Sequence, residues 1–332
     1  MRTAKATTIT AEKTTAGTTP PGNASDRALE APAIHATGLA KRYGDTEALA
    51  DLSLTVPRGE VFGFLGPNGA GKTTAVKLLL GLAAPSGGES WVLGAPAGDA
   101  ETRRRVGYLP ELFRYQGWLT AREVLALHCE LARLPRASRA PEIAAALRTV
   151  GLEGRADDRV ERFSKGMQQR LGLGVALLGR PDLVILDEPT SALDPVGRHE
   201  VRTIIRQLRE RGTAVFLNSH LLTEVEHVCD RVAVVDRGRV IASGRLDELL
   251  GGTGVRVRAG GLDERAMADL ARFGSLRRED GWLTIDGLGP EGVPGLVAEI
   301  VRCGGLVYAV EPRQMTLEDR FLELVEHAAE GR

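Results

Sequence analysis

The sequence predicts an α/β protein built on a P-loop, followed by a small C-terminal α+β module. Three observations predict it. The run GPNGAGKTT at 66–74 lies between a β-prone apolar stretch (Val61–Leu65) and a helix-like one containing Ala75, Val76 and Leu78. A continuous apolar strand at 183–186 ends in Asp187 and Glu188. After Gly251 and Gly252 the pattern runs β-α-β-β-α-β, the order of a split, ferredoxin-like unit.

Strand, glycine loop and helix are the setting in which G-x-x-x-x-G-K-[ST] reads as a phosphate cradle. Gly66, Gly69 and Gly71 permit dihedrals and close approach that a Cβ would block. With Pro67, Asn68, Ala70 and Thr74 they form a loop whose amides, with the helix N-terminus, converge on an anion. Lys72 adds a point charge near the β- and γ-phosphates, and Thr73 a hydroxyl suited to Mg²⁺.

The 332 residues allow one large domain with a small one, or two of medium size. A formal net charge of −1 argues against nonspecific nucleic-acid binding. Cys129, Cys229 and Cys303 are scattered without a C-x-x-C pair, which reads as reduced thiols in a cytosolic protein. No apolar run approaches the roughly 18–20 residues needed to span a bilayer. Work at a membrane would need spanning helices from another chain.

In chain order, residues 1–31 are rich in Thr, Ala, Pro and Gly and read as a disordered tail. It lacks the apolar core of a secretory signal. A strand starts at Ile34. Tyr43 has two readings, a half-buried strand residue or a ring that stacks on a base; with the P-loop fixed, stacking is favoured. A turn and strand cover 87–93, and 103–109 leads to Pro110 and Glu111.

A helical insertion follows over about 120–150, with apolar residues at near-helical spacing and breaks at Pro135 and Pro141. His128 within it reads as packed or surface. Ser164 and Gly166 open the next helix; a serine there is an N-cap by default, and the same geometry offers a hydroxyl and a positive helix end to phosphate. Asp187 and Glu188 end a strand of parallel-sheet type, where open α/β sheets bind ligands. There Asp187 can hold Mg²⁺ and Glu188 can polarise a water. A helix at 196–211 and a strand at 213–217 lead to Asn218, Ser219 and His220, a candidate γ-phosphate contact. A strand at 232–236 and a turn at 237–239 close the first domain near Leu250. The module then reads as strand 254–259, helix 263–273, strands 275–279 and 282–286, helix 291–303, strand 305–311 and a last helix at 316–329, capped by Thr316 with Asp319.

These motifs, from about Ile34 to Leu250, resemble the ATP-binding subunit of an ABC transporter. GPNGAGKT is similar to its Walker A, LVILDE at 183–188 to its Walker B, SALD at 191–194 (with Asp194) to its D-loop, and FSKGMQQ at 163–169 to its signature. Lys165 stands at the first signature glycine and Glu111 at the Q-loop glutamine. Both choices, with the C-terminal LEDRFLELVE, resemble the daunorubicin-resistance-like branch of drug exporters.

The resemblance implies a P-loop NTPase cassette at 32–250, with a helical subdomain at about 112–180, and an accessory module at 251–332. It implies ATP and Mg²⁺ as cofactors. Tyr43 would stack on adenine; Lys72, Glu188 and His220 would be catalytic; Thr73, Asp187 and Glu111 would be candidate metal ligands. Ser164, Gly166 and Asp194 would complete the site of a second cassette, giving a head-to-tail homodimer. A separately encoded polytopic permease would be the partner, with the chain on the inner face of the cell membrane and a drug-like or hydrophobic compound exported. The rival expectations are a soluble ABC ATPase acting on ribosomes or DNA, and a nucleotide-gated regulatory protein.

Overall fold

The computed structural model describes residues 31–250, 254–279, 281–313 and 316–330. The expected tail, but for its last residue, and the glycine pair at 251 and 252 lie outside them.

A ten-stranded sheet carries the first part of the chain. Strands β1 (Ile34–Tyr43) and β2 (Thr46–Val56) form an antiparallel hairpin, and β3 (Val61–Leu65) leads through the glycine loop into α1 (Lys72–Leu79). Then come β4 (Gly87–Val92), β5 (Ala95–Pro96), the single turn α2 (Ala100–Arg103) and β6 (Val106–Leu109). Three helices follow: α3 (Ala121–Leu131), α4 (Arg136–Thr149) and α5 (Lys165–Ala176). The alternation resumes with β7 (Leu183–Asp187), α6 (Pro195–Glu210), β8 (Ala214–Asn218), α7 (Leu222–Val228), β9 (Arg231–Asp236), β10 (Arg239–Arg245) and the short α8 (Leu246–Leu249).

The strand order is β5-β4-β1-β2-β10-β9-β3-β8-β7-β6. From β9 to β6 the neighbours pair in parallel. Strands β3, β7 and β8 are buried at every position, as a sheet covered on both faces requires. Phe62, Phe64 and Phe216 pack together within it. This parallel half brings the carboxyl ends of β3, β7 and β8 side by side, which positions the site.

The helical insertion is present, and its details follow from capping. Thr120 and Glu123 form a reciprocal capping box at the start of α3. Pro135 separates α3 from α4, as expected. Pro141 does not break the helix; it lies inside α4, where the lost amide bond and the crowding of the preceding turn are offset by burial of Ile143, Ala146 and Leu147. Asp99 caps α2 through the Thr102 amide, and strand β6 starts at Val106. Strand β10 and helix α7 had no counterpart in the sequence reading.

The second sheet holds β11 (Gly254–Gly260), then helix α9 (Glu264–Leu270), β12 (Ser275–Glu279), β13 (Trp282–Asp286), α10 (Val293–Arg302) and β14 (Leu306–Arg313). Its order, β12-β13-β11-β14, is antiparallel throughout. The first and third strands are central, the arrangement of a ferredoxin-like sheet. Leu270, Leu296 and Ile300 from the two helices pack on Val255, Val257, Leu283 and Ile285.

The last helix, α11 (Leu317–Glu330), does not join that core. Leu317, 1% exposed, is buried in the cluster that holds Val225, Val228 and Leu246, with Phe321 and Leu324 packed against it. The Leu317 amide also donates to Glu226 Oε2 at 3.2 Å. Thr316 caps the helix by donating to Asp319 Oδ2 (2.7 Å) and accepting from the Asp319 amide (3.2 Å). Among the described residues no helix is long and apolar enough to cross a membrane.

Candidate functional site

The loop after β3 turns because its glycines remove two obstructions. Gly71 has φ +99°, and a Cβ there would lie 2.4 Å from the Ala48 carbonyl oxygen. A Cβ on Gly66 would lie 2.3 Å from the Val235 carbonyl oxygen. The loop is therefore clamped between β2 and the end of β9 at distances open only to glycine. Lys72 opens α1 and folds back, its Nζ donating to the carbonyls of Gly66 (2.7 Å) and Pro67 (3.1 Å).

The result is a cleft of about 470 Å³ lined by Asn68, Gly69, Gly71, Lys72, Thr73 and Thr74, with Glu111, Glu188, Asn218 and His220 on its far side. Its size suits a small-molecule ligand. Asp187 lies beneath, 1% exposed. Parallel pairing places Asp187 opposite Asn218, whose Nδ2 donates to Asp187 Oδ1. Glu188 sits at φ +53°, a region that non-glycine residues seldom occupy. Its amide donates to the Asn218 carbonyl (2.9 Å). Its Oε1 accepts from the His220 amide (2.9 Å), and its Oε2 lies 2.8 Å from His220 Nδ1 without forming a hydrogen bond.

The electrostatics are lopsided. Burial pushes the Asp187 carboxyl up, the Asn218 hydrogen bond opposes that, and the charges of Glu111 and Glu188 add to it. Burial pulls the Lys72 ammonium down, while Glu188, Asp187 and Glu111 hold it up. Three carboxylates thus share one ammonium. The buried Asn218 Oδ1 has no hydrogen-bond partner, and the Thr73 hydroxyl side of the cleft is exposed. Hard oxygen donors with surplus negative charge fit a small divalent cation such as Mg²⁺.

The expected site residues fall into three groups. Those of the P-loop, with Glu111, Asp187, Glu188 and His220, come together. Ser164, Gly166 and Asp194 do not join them: they line a separate depression of about 560 Å³ with Lys165, Met167 and Arg170. There Ser164 Oγ accepts from the Met167 amide (3.2 Å), and Asp194 Oδ1 from the Gly197 amide (2.7 Å), each capping its own helix. Tyr43 does not line the cleft either. It ends β1 at the hairpin, 48% exposed, with Lys41 Nζ 4.9 Å from its ring centroid; Thr46, Glu47 and Ala48 of the next strand line the cleft instead.

Two buried amides escaped the sequence reading. Asn218 is brought to the acidic turn by strand register. Gln169 reaches the same turn from α5, its Nε2 donating to the carbonyls of Glu188 (3.3 Å) and Pro189 (3.2 Å).

A P-loop at the end of a central parallel strand, an acidic strand end beside it, a neighbouring histidine, a helical insertion and an antiparallel wing define an ATP-binding cassette. The comparisons agree. The family model described as ABC transporter matches residues 49–191. An uncharacterized ABC transporter ATP-binding protein of Synechocystis is 46% identical over 224 residues, 67% of this chain and 63% of that protein. The chain thus spans somewhat less than two thirds of that relative. The Nod factor export ATP-binding protein I of Rhizobium leguminosarum bv. viciae is 36% identical over 298 residues, 88% of this chain and 94% of its own. The bacitracin transport ATP-binding protein of Bacillus licheniformis is 38% identical over 219 residues, 65% of this chain and 71% of its own. A solved ATP-binding subunit of an ABC transporter superposes with a TM-score of 0.61 at 32% identity, covering 65% of this chain and 91% of that one. The chain belongs to the ABC transporter ATP-binding proteins.

Proposed function

We propose that the chain is the ATP-hydrolysing subunit of an ABC exporter, energising a separate membrane permease that moves a drug-like or hydrophobic compound. The observation that carries this reading is the division of site residues between two places on one chain. The P-loop, Glu188 and His220 share one cleft, while Ser164, Gly166 and Asp194 share another. Such a chain completes a site only against a second copy, head to tail, with nucleotide between them.

In that site Lys72 and His220 stabilise charge on the γ-phosphate, and Glu188 orients the attacking water. Thr73, Asp187 and Glu111 would hold Mg²⁺. The ion, when bound, neutralises charge on the β- and γ-phosphate oxygens. The contact between Glu188 and His220 keeps the base and the imidazole on the same side of the cleft.

The permease would dock beside Glu111. A groove of about 610 Å³ runs there between β6 and the helical insertion, with Phe113, Tyr115 and Leu131 in its walls and Arg103, Arg104 and Arg133 about it. Leu112 and Trp118 are 88% and 70% exposed close by in sequence. The aromatic and apolar walls of the groove, with these exposed residues near it in sequence, are what a docked protein would cover. The chain then sits on the inner face of the cell membrane. Its parts are a cassette at 32–250, a helical subdomain at about 112–180, a tail at 1–31, and an accessory region at 251–332 whose last helix packs back on the cassette. Export and the class of cargo rest on the Nod factor export and bacitracin transport relatives.

The test is a pull-down of tagged Glu188→Gln protein with ATP from gently solubilised membranes. Co-purification of a polytopic membrane protein in about equal amount supports the reading. Recovery of soluble partners alone, ribosomal or otherwise, overturns the transport assignment.

A further inference from the structure

We propose that Gln169 is a positioning residue that ties the Glu188 turn to the signature helix, so that hydrolytic alignment in one site follows the seating of Ser164 and Gly166 on the other. The proposal rests on the reading of Glu188 as the carboxylate that orients water.

The Glu188 turn is held from two sides. On one side β8 supplies the Asn218 carbonyl to the Glu188 amide and the His220 amide to Glu188 Oε1. These bonds lie within the sheet and move with it. On the other side the Glu188 carbonyl accepts from Gln169 Nε2 (3.3 Å) and Ser191 Oγ (3.1 Å), and Gln169 Nε2 is shared with the Pro189 carbonyl (3.2 Å). Gln169 is 6% exposed and sits on α5, whose first turn is Ser164 to Met167.

The geometry makes this contact more than packing. Glu188 has φ +53°, a backbone state that persists only when its surroundings over-determine it. One carboxamide that grips two successive carbonyls fixes the peptide plane on the C-terminal side of that residue. It thereby sets the direction in which the carboxylate leaves the backbone. Leu171 and Leu173, buried at 0% and 1%, seat the same helix in the core, so its first turn and Gln169 keep a fixed relation to each other. A displacement of its N-terminus, which lines the second depression, is carried along it to the turn beside the first cleft. Gln169 thus adds a buried side-chain tie between the two half-sites, beside the backbone run 188–194 that also passes from one to the other.

The experiment compares Gln169→Leu, Glu188→Gln and the double variant, with Ser191→Ala as a milder probe of the same carbonyl. Steady-state phosphate release gives kcat and KM. ATP affinity and ATP-dependent dimerisation are followed by equilibrium binding and sedimentation. The expectation is that Gln169→Leu lowers kcat about 10- to 100-fold, the scale of a misplaced reacting group, with KM, ATP affinity and dimerisation unchanged. Ser191→Ala lowers kcat less, in the same sense. In single-turnover measurements Gln169→Leu adds nothing in the Glu188→Gln background. The proposal is overturned by an unchanged kcat, by a loss that appears equally in KM or ATP affinity, or by losses that multiply in the double variant. Should Gln169→Leu fail to fold, an unchanged kcat in Ser191→Ala overturns it. Failure of the underlying reading looks different: Glu188→Gln alone would then keep its turnover.

Discussion

At the scale of single residues, the chemistry gathers around Glu188. Its carboxylate is held by the His220 amide and its backbone by the Asn218 carbonyl, the Gln169 carboxamide and the Ser191 hydroxyl, so the side chain can be changed to a neutral isostere without disturbing the turn. Glu188→Gln keeps the shape and removes the base. Phosphate release should fall by about 10²–10⁴-fold, the usual worth of a positioned general base, with ATP affinity in equilibrium binding close to that of the parent. Lys72, Asp187 and Glu188 were legible in the sequence because their meaning is local: each lies within a few residues of the strand end or loop that presents it. Asn218 and Gln169 were not. Asn218 meets Asp187 only through the register of β7 on β8, and Gln169 meets Glu188 only through the packing of α5. Neither relation leaves a mark in sequence spacing. Tyr43 was legible as an aromatic at a suitable distance in sequence; its ring ends β1 at the hairpin, half-exposed and covered by Lys41, next to the strand residues that line the cleft.

At the scale of elements, the two helices of the accessory module are stapled by Glu299 on α10, which reaches the turn after α9. This side chain is 6% exposed. It accepts from Arg302, with Nε at 2.9 Å, and pairs with Arg272 at 2.8 Å. The Arg302 hydrogen bonds, helped by Arg272, hold its carboxyl below the usual carboxylate range. A depressed carboxyl stabilises the fold above its unfolded value, about 4.5, and that contribution fades as pH falls through the folded value. Glu299→Gln should therefore lower the thermal midpoint of the module at pH 7, and the gap from the parent should close as the pH falls below about 4.5. Calorimetry across that range reads it. The pattern of strands and helices that makes this sheet was legible, because alternation and glycine turns write it plainly. Helix α4 was misjudged at Pro141, where tertiary packing overrides a local breaker, and β10 was missed because half-exposed residues blurred its alternation.

At the scale of the whole molecule, the chain does not divide in the order it is read. Helix α11 follows the accessory sheet in sequence but buries Leu317 in the cluster containing Val225, Val228 and Leu246. Leu317→Ala should cost about 2–5 kcal/mol, the range for a buried leucine that leaves a cavity. Urea unfolding should show that loss in the nucleotide-binding part of the molecule as well as near the substitution. Sequence reading could identify the amphipathic stripe of α11 but not the surface it meets, because a stripe specifies a partner's polarity and nothing of its address.

That return gives the accessory module the topology of an insertion, entered after α8 and left before α11, with both ends moored on the cassette. Removing everything beyond Leu250 is then not the trimming of an appendage. It opens the wall over Val225 and Val228, on the helix that starts two residues after His220. A shortened protein would advertise its missing last turns at the far end of the chain as a loosened histidine at the nucleotide.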